Sequence, residues 1–169
     1  MSGNTRPFTM VAPGLHSSRR YLSLDDSGRA LFHYVLTGPH QTSCGCSQIK
    51  PGYAAADLGS WDAAKFVRYR AALLDAELIA FDADTDEIYI ERWFKHHAKG
   101  SWKYAKSIKG QISKIESDPI REKAEEDFMA TPMGEAAVEA DGAERTSERP
   151  SPANAGSRLL NSRIMQGGR

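Results

Sequence analysis

Apolar residues recur at helical spacing in several stretches of this chain, and over one short interval the spacing drops to two. "SLDDSGRALFHYVLTGPH" predicts a helix ending before Pro39. Ser23 or Asp25 caps it, acids fill its first turn, and Ala30, Leu31, Tyr34 and Val35 supply its apolar face. "GPHQTSCGCSQIK" has no periodicity and reads as a loop. "PGYAAADLG" predicts a short helix, with Pro51 near its start and Gly59 stopping it. "WDAAKFVRYRAALLDAE" carries the clearest helical pattern. Phe66, Tyr69, Leu73 and Ala76 line one side of it, and Lys65, Arg68 and Asp75 point away.

The rhythm then changes. "LIAFD" and "EIYIERW" alternate apolar and polar residues as half-buried strands do, with "ADTD" as the turn between them. Two strands alone are marginal in water, so Ile79, Phe81, Ile88 and Ile90 are expected to pack on the helices. Further on, "SWKYAKSIKGQISKI" gathers Ala105, Ile108, Ile112 and Ile115 on one side of a helix. Lys99, Lys103, Lys106 and Lys114 fall opposite, with Lys109 at the margin. "SDPIREKAEEDF" predicts another helix, capped by Asp118 with Pro119 at its first position.

From Met129 onward large apolar residues are scarce. "ATPMGEAAVEADGAERTSERPSPANAGS" cannot bury enough surface to offset its ordering entropy, so residues 129–169 are expected to form a disordered tail. The final "RLLNSRIMQGGR" regains Leu159, Leu160, Ile164 and Met165. These read as a frayed end or as a linear motif that folds on a partner.

The expected fold is therefore mainly α with a small β-hairpin. Residues 1–19 form an arm, 20–94 a winged helix-turn-helix domain, 95–128 a basic helical extension, and the tail follows.

Composition narrows the function classes. Hydrophobic residues make up 40% and charged residues 26% of the chain, which suits a soluble globular protein. No apolar run approaches the roughly 18 residues of a membrane span. "MSGNTRPFTMVAPG" lacks the apolar stretch of a secretion signal, and Cys44 and Cys46 are too few and too close for a disulfide framework. A reducing cytoplasm is the expectation.

Net charge is zero, but the charge is segregated. Residues 1–115 hold 15 Lys/Arg against 11 Asp/Glu, residues 116–150 hold 4 against 11, and residues 151–169 hold 3 against none. Residues 92–114 carry seven basic side chains and no acid, with Trp102 and Tyr104 interleaved, a pattern suited to phosphate contact and base stacking. Lys65 and Arg68, spaced i, i+3, are where a groove-reading helix projects its side chains. Arg70 and Lys95 extend the candidate DNA-binding set of Lys65, Arg68, Arg70, Lys95, Lys99, Lys103, Lys106 and Lys114. The bland alternative for each is a solvated face or, for the lysine helix, pairing with the acidic segment, and Trp102 reads equally as a packing residue. Against DNA docking stand Asp82, Asp84, Asp86 and Glu87 in the hairpin turn.

Catalysis finds little support. His33, His40, Cys44 and Cys46 are a poor zinc set, because structural zinc sites favour C-x2-C pairs. No Gly-rich phosphate loop or nucleophile elbow is present, so no enzyme activity and no cofactor or metal is expected.

"LFHYVLTGPH", "GYAAADLG", "ALLDAELIAFDADTDEIYIERWFKHH" and "KGQISKIESDPIREKAEE" together resemble the winged-helix domains of phage- and prophage-encoded replication proteins. Those are similar to the N-terminal domains of replisome organisers and primosomal helicase loaders. The resemblance spans residues 20–128 and departs at "CGCSQI" and "HHAKGSWKYAKS". It implies a non-enzymatic protein in the cytoplasm of a bacterial host. Such a protein would bind double- or single-stranded DNA and recruit a replicative helicase or helicase loader, with self-association left open. A winged-helix transcription regulator and a protein-interaction adaptor are the rival readings.

Overall fold

The computed structural model describes residues 8–98 and 100–138. Lys99 and the motif residues Leu159, Leu160, Ile164 and Met165 lie outside the described residues. After an N-terminal arm comes a short helix α1 (Arg19–Leu22), then α2 (Asp26–Thr37). Of the two expected caps, Asp25 closes α2, accepting the Gly28 N–H at 2.8 Å, while Ser23 ends α1. The buried side of α2 is broader than the periodicity suggested. Leu31, Phe32, Val35 and Leu36 are buried, and Ala30 is exposed. The difference arises because a second layer covers α2: the Tyr21 ring of α1 packs with its centroid 6.1 Å from that of Phe32.

Strand β1 (Cys46–Gln48) lies inside the expected loop, followed by α3 (Pro51–Asp57) and α4 (Ala63–Asp75). Pro51 sits in the first turn of α3 and Gly59 follows it at φ 66°, as the punctuation predicted. The Asp62 carboxylate accepts the Lys65 N–H at 2.6 Å and starts α4. β2 (Ile79–Asp82) and β3 (Glu87–Ile90) then form the hairpin.

The sheet has three antiparallel strands, not two, in the order β1-β3-β2. β1 pairs Cys46 with Tyr89 and Gln48 with Glu87, which puts β3 in the centre. All four β3 residues are buried, so β3 has no solvent face despite its alternating sequence. Three more helices follow: α5 (Trp93–His97), α6 (Trp102–Ile112) and α7 (Asp118–Met129). Ile88 and Ile90 share one sheet face with their partners Phe81 and Ile79. Glu87 and Tyr89 share the other with Asp82 and Ala80. The Arg70 guanidinium of α4 lies 3.5 Å from the Phe81 ring centroid, so α4 covers the first face. The Tyr89 hydroxyl donates to Asp127 of α7 at 2.5 Å, so α7 covers the second.

α6 packs beside α7 and is tied back to the turn before β1, where its Gln111 side chain accepts the Ser43 N–H at 3.1 Å. Ala105, Ile108 and Ile112 of α6, and Ile120, Ala124 and Phe128 of α7, join the same apolar core as Leu31, Phe66 and Leu73. Each isoleucine buried in this way contributes about 1.5–3 kcal/mol. The stretch expected to extend from a finished domain is thus one wall of the core. α7 is capped by Ser117 rather than Asp118, the Ser117 hydroxyl accepting from Ile120 N at 3.3 Å. A further helical segment covers 132–138. Among the described residues no helix is long and apolar enough to cross a membrane.

Candidate nucleic-acid interface

Because Phe66 and Leu73 face the core with no exposure, α4 must present its opposite side outward. That side carries Ala64, Val67, Arg68, Ala71 and Asp75, all exposed. The Arg68 guanidinium sits 5.3 Å from the Tyr69 ring, and exchanging that contact for an anion costs little. Lys65 is half-buried, with its ammonium 4.4 Å from the Trp61 ring centroid. Cation–π contact positions it at the N-terminal end of α4, where helical N–H groups already favour anions.

Arg70 requires a correction. Its side chain is 13% exposed and packed over Phe81, 3.9 Å from the Asp86 carboxylate, and Nη1 is buried without a hydrogen bond. Burial draws its pKa down from the usual arginine value, while Asp86 opposes the shift. A guanidinium held beneath the hairpin is a packing group, and it drops out of the candidate phosphate contacts. The i+2 position from Arg68 places Arg70 on the flank of the helix that β2 covers.

The acidic hairpin turn also changes meaning. Glu87 is 6% exposed, and its carboxylate accepts the backbone N–H groups of Glu116 at 3.1 Å and Ser117 at 2.7 Å. Asp82 accepts from the Ser117 hydroxyl at 2.5 Å and from Asp84 N at 2.9 Å, and these bonds hold its carboxyl below the usual carboxylate range. Asp86 faces Arg70. Of the four acids only Asp84 is exposed. Two of the four acids counted as a surface field in the sequence, Asp82 and Glu87, are instead ligands of the joint between α6 and α7. Their long sequence separation from that joint hid the role.

The lysines are arranged as helical spacing predicts. Lys103, Lys106, Lys109 and Lys114 are exposed along α6 and its end, and Lys95 is exposed on α5. Trp102, at the first turn of α6, is 47% exposed, and the Lys103 ammonium lies 5.9 Å from its ring centroid. Since α4 and α7 cover opposite sheet faces and α6 packs with α7, the α4 surface and the lysine face are on different sides of the molecule. Tyr53, 60% exposed on α3 and stacked against His40, is a solvent-facing aromatic near α4 that sequence reading missed. Its only sequence signal is a bulky ring among alanines in a short helix.

The residues weighed for zinc are dispersed. His33 Nε2 is 3.0 Å from the Tyr21 hydroxyl and His40 is 2.9 Å from the Asp57 carboxylate. Both cysteines are buried, and burial raises the pKa of both thiols. Among the described residues no group of three metal-ligating side chains converges.

No protein-family profile, no curated protein and no solved structure matches this chain.

Proposed function

We propose that this chain is a winged-helix DNA-binding protein of phage or prophage replication. It acts without catalysis of its own, with α4 as the helix that enters the major groove. The observation that carries the reading is the order α2–β1–α3–α4–β2–β3 with sheet order β1-β3-β2, which leaves the Arg68 side of α4 uncovered. The pairing of Asp86 with Arg70 supports it further, because the opposite charge offsets part of the negative field that would oppose a duplex beside the hairpin. Exposed Ala64, Val67 and Ala71 would lie against thymine methyl groups, and Arg68 would reach phosphate or guanine. Recruitment of a helicase or its loader belongs to the same proposal and rests on the segment resemblance.

The test is duplex binding by fluorescence anisotropy across a salt series. Each phosphate neutralised on B-DNA steepens the log–log salt slope by about 0.9. Arg68→Ala should weaken binding about tenfold, in line with the ~1–3 kcal/mol of a good arginine contact. Equal affinity of wild type, Arg68→Ala and Arg68→Glu would remove α4 from the interface. Competition by scrambled duplexes separates the replication role from its rival: strong preference for one sequence supports a transcription regulator.

A further inference from the structure

The sheet stands between α4 and the α6 lysines, so a straight duplex lying along α4 leaves those lysines on the far side. Two helix-to-sheet packings put the axes of α4 and α7 roughly 20 Å apart, and their outward faces farther still. The lysine face is thus not an annex of the α4 surface, and its own chemistry decides its ligand.

Residues 101–114 contain no Asp or Glu. Along the exposed side of α6 run Trp102, Lys103, Lys106, Lys109 and, past its end, Lys114, with the small Ser107 and Gly110 between them. The cations are ammonium groups, point charges that grip phosphates but lack the planar fork that reads base edges. Beside them stands a half-exposed indole. In a duplex the base faces are occupied by neighbouring bases, whereas a single strand offers them to an aromatic ring. A membrane surface fits poorly, because the apolar side of α6 (Ala105, Ile108, Ile112) is buried in the core and leaves nothing to insert among lipid chains.

We propose that α6 forms a second nucleic-acid surface, separate from α4, and that it holds a single strand, with bases stacking on Trp102 and phosphates meeting Lys103, Lys106 and Lys114. The proposal rests on the DNA-binding reading for its biological sense: one molecule would hold a duplex on one side and a separated strand on the other. The α6 contact itself is tested independently.

The full chain is titrated into a labelled oligo(dT) and, in parallel, into a labelled duplex. Trp102→Ala should weaken oligo(dT) binding at least about fivefold, the lower end expected for losing one stacked base. Trp102→Phe should recover most of it, and duplex affinity should stay constant. Replacing Lys103, Lys106 and Lys114 together by Ala should flatten the oligo(dT) salt slope by about 2, at ~0.7 per phosphate. Arg68→Ala should weaken the duplex alone. Every substituted side chain but one is exposed charge, and thermal melts of all variants confirm that the fold persists. Oligo(dT) binding unchanged by both the Trp102 and the lysine variants overturns the proposal. So does an equal loss on strand and duplex, which would mean one shared surface, and so does displacement of oligo(dT) by anionic phosphatidylserine vesicles. Failure of duplex binding with strand binding intact would sink the α4 reading and leave the α6 surface standing.

Discussion

Glu87 offers the sharpest test of how the two helical layers are joined. It sits on the central strand with 6% exposure, and its carboxylate receives the N–H of Glu116 at 3.1 Å, the N–H of Ser117 at 2.7 Å and the Thr85 hydroxyl at 3.2 Å. Glu87→Ala removes the acceptor and strands the buried Ser117 N–H and the half-buried Glu116 N–H. An orphaned buried donor costs about 1–3 kcal/mol, and bonds to a charged partner are at the upper end. Against this, alanine no longer carries the desolvation cost of a buried carboxylate, a partial offset. The net expectation is a loss of about 2–4 kcal/mol. Glu87→Gln keeps one acceptor but aims an amide donor at the other N–H, so it should lose about half as much. Urea titration followed by circular dichroism gives the stabilities, and hydrogen exchange at Ser117 gives the local effect. A Glu87→Ala protein within about 0.5 kcal/mol of wild type, the usual scatter for surface substitutions, would refute the anchoring role.

Other consequences follow from single contacts. Gly45 has φ 82°, and a Cβ at that position would overlap the Trp93 ring, so Gly45→Ala should destabilise by about 2–4 kcal/mol or more in thermal melts. Gly110 sits exposed within α6, and a methyl group there would meet nothing within 4 Å. Gly110→Ala should therefore stabilise by roughly 0.5–1 kcal/mol, raising the denaturation midpoint. Asp82 has its carboxyl pKa held below 3.8, first by the Ser117 hydroxyl and then by Asp84 N. A depressed carboxylate stabilises above its unfolded pKa and loses that contribution as pH falls through the folded value. Asp82→Asn should therefore cost stability near neutral pH, and its gap from wild type should close below about pH 3.8 in acid titrations. A gap independent of pH would show that the Asp82 charge is not what holds Ser117.

The hairpin shows why part of the site was legible and part was not. Alternation along "LIAFD" and "EIYIERW" located β2 and β3, since Ile79, Phe81, Ile88 and Ile90 must leave water together whatever covers them. It could not say that Tyr89 and Glu87 also leave water. That depends on Asp127, Glu116 and Ser117, some thirty to forty residues later, arriving on the opposite face. β1 was invisible for the same reason: three residues pairing with a distant strand have no period of their own.

What the sequence determined by itself was local. Asp25 as a cap, Pro51 and Gly59 as limits, the buried line of Phe66 and Leu73, and the outward lysines of α6 all follow from forces acting within about one helical turn. Tertiary structure decided which charges remain charges to a partner. It turned Arg70 and Glu87 inward, left Arg68 and Trp102 outside, and set α4 and α6 on opposite sides of one sheet. A charge's role depends on what surrounds it, and neighbours brought together from distant parts of the chain exist only once the core has closed.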